Sequence, residues 1–169
     1  MLKKLIKVAL IGNTNAGKST FLNSMVGQTV SIINKKINTT QNLIMGIMNI
    51  NKTQIIFYDT PGSNLLNTRT ISQKKFRIDI WTAIEEADCI LYIIDVLKYN
   101  YKTVYSDLKK INEVKKSIIV VFNKIDLIDN KLILPLIKSL NNLNLVDEFF
   151  NISAKYKKGL NKLSVFLIS

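Results

Sequence analysis

Short, continuous apolar runs alternate along this chain with segments whose apolar residues recur at helical spacing. Runs at 6–11, 90–95 and 117–123 are almost wholly apolar, and with the shorter, more polar segment 148–152 they are read as buried strands of a parallel sheet. Runs at 43–50 and 54–58 are separated only by a polar turn at 51–53, which suits an antiparallel hairpin. Helical periodicity covers 19–25, 72–86, 103–114, 131–141 and 160–168. Pro135 falls inside the fourth of these, so it either kinks that helix or marks its true first turn. The pattern predicts an α/β fold: a six-stranded, mostly parallel sheet with one antiparallel strand and helices on both faces.

No repeat, Pro-rich linker or low-complexity tract interrupts the pattern, so residues 1–169 are expected to form a single domain. No apolar stretch approaches the ~18 residues needed to cross a bilayer, and the apolar segment near the start runs on as the first strand. A cytoplasmic location is the expectation, with the interior of an organelle as the lesser alternative. With no histidine, His-based catalysis and the usual zinc sites are excluded. Cys89, the single cysteine, opens an apolar run and reads as a small hydrophobe.

A formal charge of +12, from 24 Lys and Arg against 12 Asp and Glu, admits a nucleic-acid or anionic-membrane partner. Only Arg69 and Arg77 are arginines, however, and the chain is rich in Asn, Ile and Lys. Lysine lacks the planar fork that reads bases and phosphates in pairs, so a purely compositional origin of the charge stays open.

The candidate chemistry begins directly after the first strand. Gly12, Asn13, Thr14, Asn15, Ala16, Gly17, Lys18 and Ser19 form Gly-x-x-x-x-Gly-Lys-Ser, followed by Thr20. Glycines at both ends let the backbone wrap a polyphosphate and aim N–H groups at it. Lys18 adds positive charge toward the β and γ phosphates, and the Ser19 hydroxyl is placed to ligate Mg²⁺. The helix that follows favours a bound anion at its N-terminus. This makes the fold a P-loop NTPase domain.

Which base is bound depends on a second motif. Asn123, Lys124 and Asp126 stand at the end of a strand, where open α/β sheets bind ligands. A carboxylate at Asp126 accepts from both guanine N1–H and the exocyclic amine; adenine offers neither donor in that geometry. Lys124's stem can cover the base, and Asn123 can tie this loop to the phosphate loop. Asp59, Thr60, Pro61 and Gly62 end another strand, with Asp59 placed to hold Mg²⁺ through water and the Gly62 N–H to meet the γ phosphate. Among Asn38, Thr39, Thr40 and Gln41, one threonine hydroxyl can complete the Mg²⁺ shell. Ser153, Ala154 and Lys155 follow the last strand, where the Ala154 N–H can donate to guanine O6.

Together these segments resemble the G domain of translation-factor-like GTPases, and more narrowly the N-terminal domain of the Era family of bacterial ribosome-assembly GTPases. The narrower likeness rests on Gly12 to Asn23, on Gly27-Gln28 with Val30-Ser31-Ile32, on Asn38-Thr39-Thr40 before Gly46-Ile47, on Asp59 to Gly62, and on Leu134-Pro135. The resemblance implies GTP and GDP as ligands, Mg²⁺ on Ser19, Thr40 and Asp59, and catalysis supported by Asn15, Lys18, Thr40 and Gly62. It also implies that Asn15 ligates K⁺, supplying the charge of an arginine finger, while the residue alone also reads as a loop asparagine that tolerates an unusual backbone angle. The small ribosomal subunit and its RNA become expected partners, with peripheral inner-membrane contact and a monomeric state as further expectations.

Departures from the family pattern matter. Gln41 stands where the family usually has arginine, and no Gly-x-x-Gly loop of an RNA-binding KH domain occurs before Ser169. Many GTPases place a water-orienting glutamine directly after the glycine equivalent to Gly62, but this chain has Ser63. Unaided hydrolysis is therefore expected to be slow, on the order of 10⁻³ s⁻¹. Arg69 as an internal finger is the lesser alternative to Asn15. A guanine-nucleotide-dependent module that docks to RNA or membrane with negligible turnover remains the competing reading.

Overall fold

The computed structural model describes residues 4–26, 32–37, 41–67 and 70–169. In chain order the elements are β1 (Lys4–Ile11), α1 (Lys18–Val26), β2 (Ile32–Ile37), β3 (Gln41–Ile50), β4 (Thr53–Asp59), α2 (Lys74–Glu86), β5 (Cys89–Asp95), α3 (Tyr101–Ile111), β6 (Ser117–Asn123), α4 (Ile133–Asn141), β7 (Glu148–Asn151) and α5 (Leu160–Ile168). The strands form one sheet in the order β2-β3-β4-β1-β5-β6-β7. Only β3 runs against the others, paired antiparallel with β2 on one side and β4 on the other.

All six expected strands are present. A seventh, β2, extends the edge beyond the expected count. Its sequence, Ile-Ile-Asn-Lys-Lys-Ile, has neither an apolar run nor period-two alternation, so its pairing with β3 leaves no signature in the chain. The hairpin between β3 and β4 turns at Asn51, whose φ of 54° is the left-handed conformation asparagine tolerates.

The uniformly apolar strands have a simple cause: both faces of the sheet are covered. Ala9, Ile11, Ile90, Tyr92, Ile94, Val120 and Phe122 pack with α2, α3 and α4. Their alternating neighbours Val8, Leu10, Leu91, Ile93, Ile119 and Val121 pack with α1 and α5. Pro135 is the third residue of α4, in a first turn whose N–H groups have no intrahelical acceptor, so it starts the helix without breaking it. Asn100 caps α3, its side-chain oxygen accepting from the Thr103 N–H at 3.1 Å.

Register brings the chemistry to one edge. Leu10 lies opposite Asp59, and Asp95 opposite Asn123, so the C-terminal ends of β4, β1, β5 and β6 form a continuous rim. No helix among the described residues is long and apolar enough to cross a membrane.

Cys89 opens β5 partly exposed, and burial raises its thiol from an ordinary 9.0 to about 11. Alkylation by iodoacetamide at pH 8 should accordingly run about a hundredfold slower in the folded protein than in urea, as followed by mass spectrometry. Equal rates would contradict this burial.

Candidate nucleotide site

The rim of the sheet is built around a loop that only glycine can start. At Gly12, φ is 149° and a Cβ would stand 2.1 Å from the Ile93 carbonyl oxygen of the neighbouring strand. At Gly17, φ is 98° and a Cβ would meet the Asn123 side chain at 2.3 Å. Between them Asn15 is left-handed at φ 64°, with an exposed side chain. The loop thus closes on β5 and β6 and delivers the chain to α1.

Lys18 is buried at that junction, its ammonium donating to the carbonyl oxygens of Gly12 at 2.8 Å and Asn13 at 3.1 Å. Burial lowers its pKa, and the nearby Asp59 works in the opposite direction. The Ser19 hydroxyl donates to Asp59 Oδ2 at 2.6 Å, while Asp59 Oδ1 is buried with no hydrogen-bond partner. Burial raises the Asp59 carboxyl, opposed by Ser19 and Lys18. An alcohol and a half-satisfied carboxylate side by side are hard oxygen donors, the chemistry that suits Mg²⁺. No cluster of three or more His, Cys, Asp or Glu that could hold a metal occurs among the described residues, so any such ion would rely on ligand phosphates and water as well.

The segment after Asp59 is fastened down by the Thr60 hydroxyl, which donates to the Leu10 carbonyl at 2.7 Å. Gly62 then packs directly on the loop, where a Cβ would lie 2.2 Å from Thr14 Oγ1 and 2.6 Å from Thr14 N.

At the other end Asn123 is buried and joins three segments. Its amide donates to the Ala16 carbonyl at 3.0 Å; its oxygen accepts from the backbone N–H of Lys124 at 2.8 Å and of Ala154 at 3.0 Å. The expected tie to the phosphate loop is therefore in place. The Ala154 N–H, expected to face guanine O6, is engaged by this same oxygen. Ser153 is buried and exchanges backbone hydrogen bonds with Lys158, and the Lys155 ammonium lies 5.1 Å from the centre of the Tyr156 ring. Lys124, left-handed at φ 66°, stretches its ammonium to the Asn15 carbonyl at 3.0 Å and to Asp95 Oδ2 at 2.7 Å. Asp126 is exposed.

Two adjoining cavities result. One of about 510 Å³ is lined by Thr14, Asn15, Lys18, Ser19, Thr60 and Gly62; the other, of about 230 Å³, by Asn123, Asp126, Leu127, Ser153, Ala154 and Lys155. Gly17, Thr20 and Lys124 line both. Thr40, its neighbours Asn38 and Thr39, and Arg69 lie outside the described residues.

Sequence reasoning missed the Asp95 anchor for Lys124 and a polar cluster beneath the loop. In that cluster Ser63 is fully buried, its hydroxyl donating to Asn13 Oδ1 at 3.1 Å, and the Tyr92 hydroxyl donates to Asp107 Oδ2 at 2.6 Å. Asp107 was discoverable, since it shares the apolar stripe of α3 with Val104, Leu108 and Ile111.

A family model described as "50S ribosome-binding GTPase" matches residues 7–124. The chain belongs to this GTPase family. Within it, the domain is similar to GTPase Era of Ehrlichia canis, 32% identical over 165 residues that make up 98% of this chain and 55% of the relative. The structure matches that of Era in complex with MgGDPNP and nucleotides 1506–1542 of 16S ribosomal RNA, with a TM-score of 0.80 and 35% identity, over 98% of this chain and 56% of that one. The G domain of the T. maritima FeoB iron transporter follows with a TM-score of 0.71 and 25% identity, covering 97% of both chains. The GTPase chain thus spans about half the length of the curated relatives it matches.

Removing the Asn123 side chain strands the Ala16 carbonyl, the buried Ala154 N–H and the partly buried Lys124 N–H together. Asn123→Ala should therefore lose about 3 kcal/mol of stability in urea unfolding, each stranded group costing roughly 1 kcal/mol or more. A loss near zero would show that these segments are held by other contacts.

Proposed function

We propose that this domain binds GTP with Mg²⁺, hydrolyses it slowly to GDP and phosphate, and uses the difference between the two states as a switch. The observation that carries the reading is the coupling of a cavity of about 230 Å³ lined by Asp126 to the phosphate loop through Asn123. The phosphates lie in the larger cavity, against the loop N–H groups from Asn13 to Thr20 and the Lys18 ammonium. Asp126 pairs with the guanine edge, beside Ser153, Ala154 and Lys155. For guanine O6 to be met by the Ala154 N–H, that donor must be shared with Asn123.

Ser19, Asp59 and Thr40 are the residues that would hold Mg²⁺, and the unpaired Asp59 Oδ1 fits a role in its water shell. The ion supplies charge neutralisation on the β and γ phosphates. Lys18 leaves its two loop carbonyls to meet those phosphates, and Gly62, packed on Thr14, offers its N–H at the terminal one. Asn15, with its side chain exposed on the rim of the phosphate cavity, is the residue that would hold K⁺.

By likeness to Era, the switch works in small ribosomal subunit assembly in the cytoplasm, as a monomer, with the subunit RNA as partner and peripheral membrane contact as a secondary one. Burial of Ser63 favours a second reading, a docking module that holds GTP with negligible turnover. Phosphate release in a single-turnover assay separates the two.

Asp126→Asn should weaken GTP binding by about 10²-fold or more and shift preference toward xanthosine nucleotides, read by competition against a fluorescent GDP analogue. An unchanged profile would refute Asp126 as base reader. Hydrolysis should run faster in K⁺ than in Na⁺ at equal ionic strength, with Asn15→Ala removing the difference; equal rates for the unaltered protein would refute K⁺ at Asn15.

A further inference from the structure

If this domain hydrolyses GTP, as proposed above, some group must orient the attacking water, and Ser63 is turned away from that task. Its backbone N–H donates to the Gly12 carbonyl at 2.8 Å, its hydroxyl donates to Asn13 Oδ1, and its side chain is fully buried beside Tyr92 and Asp107. Locking Ser63 inward has a geometric consequence for the residue after it. The 3₁₀ turn Ser63–Asn67 presents Asn64 outward, with an exposed side chain.

That side chain does not wave freely. Its Oδ1 accepts from the Thr14 hydroxyl at 3.0 Å and lies 2.4 Å from where a Gly62 Cβ would be. The Asn64 carboxamide, the Thr14 hydroxyl and the bare backbone of Gly62 are therefore packed together at one spot. Thr14 and Gly62 line the phosphate cavity, and Gly62 lies at the end away from Asp126, where the terminal phosphate must fall if the base sits at Asp126. Asn64 lines the adjoining cavity of about 390 Å³, in company with Asn13 and Thr14. The carboxamide thus stands against the Thr14 and Gly62 wall of the phosphate cavity, and on its other side it borders a second cavity whose walls are mainly apolar.

We propose that Asn64 is a catalytic residue of this GTPase, its carboxamide orienting the attacking water, with Thr14 as its positioning residue. An amide has an oxygen to accept a water proton's hydrogen bond and an NH₂ to donate to a phosphate oxygen, the same pair of functions a glutamine offers. Being one methylene shorter than glutamine, it compensates by starting one residue later and from the top of the turn. In the step it serves, the water oxygen forms a bond to the γ phosphorus as the bond to the β–γ bridging oxygen breaks. That oxygen leaves with the electron pair on GDP, and the water proton ends on the released phosphate.

The test compares the unaltered protein with Asn64→Ala and Asn64→Gln, in Mg²⁺ and K⁺. Single-turnover GTP hydrolysis and affinity for GDPNP are both measured. Asn64→Ala is expected to slow hydrolysis by about 10²-fold while leaving GDPNP affinity within about twofold, and Asn64→Gln to recover most of the rate. Hydrolysis by Asn64→Ala at the unaltered protein's rate overturns the inference. So does a loss of rate matched by an equal loss of GDPNP affinity, which would mark Asn64 as part of the binding frame only. Absence of hydrolysis by the unaltered protein would instead overturn the GTPase reading on which this inference rests, and the two failures are thereby told apart.

Discussion

The site depends on one buried amide. Asn123 ends β6 beneath the phosphate loop, and its side chain uses both of its polar atoms to hold three backbone segments that are far apart in sequence. A buried amide left unpaired is expensive, so the three segments are fixed relative to one another or the fold pays several kcal/mol. Gly17 has no side chain because Asn123 occupies the space one would take. The distance between the phosphate loop and Asp126 is in this way set by a strand end.

A second constraint works at the other end. Ser63 and Gly62 are pressed onto the loop by backbone contact, and Thr60 is tethered to β1. This end of the site is therefore made of backbone and small side chains, and the side chain that emerges next, Asn64, is exposed there. Polar groups under the loop, the half-buried Asn13 and the buried Tyr92 and Asp107, draw Ser63 inward.

Much of this was legible in the chain. Strands buried on both faces announce themselves as unbroken apolar runs, and the spacing of Gly12, Gly17, Lys18 and Ser19 follows from what a phosphate requires of a backbone. The tie made by Asn123 was legible for the same reason, since its position at a strand end brings it to the phosphate loop. Edge strand β2 was not, because its sequence carries no periodic apolar pattern and its pairing is made by backbone groups that every residue owns. The engagement of the Ala154 N–H by Asn123 was equally hidden, as was the inward turn of Ser63. Both depend on where a side chain points in three dimensions, and Tyr92 and Asp107 stand far from Ser63 along the chain.

The central claim is that phosphate loop and base cavity act as one ruler for guanine nucleotides, and displacement of a bound fluorescent GDP analogue in Mg²⁺ tests it most directly. GTP should displace the analogue at concentrations at least about 10²-fold below those required of ATP. Equal displacement by ATP and GTP would contradict the account, because the cavity at Asp126 would then not be reading the base.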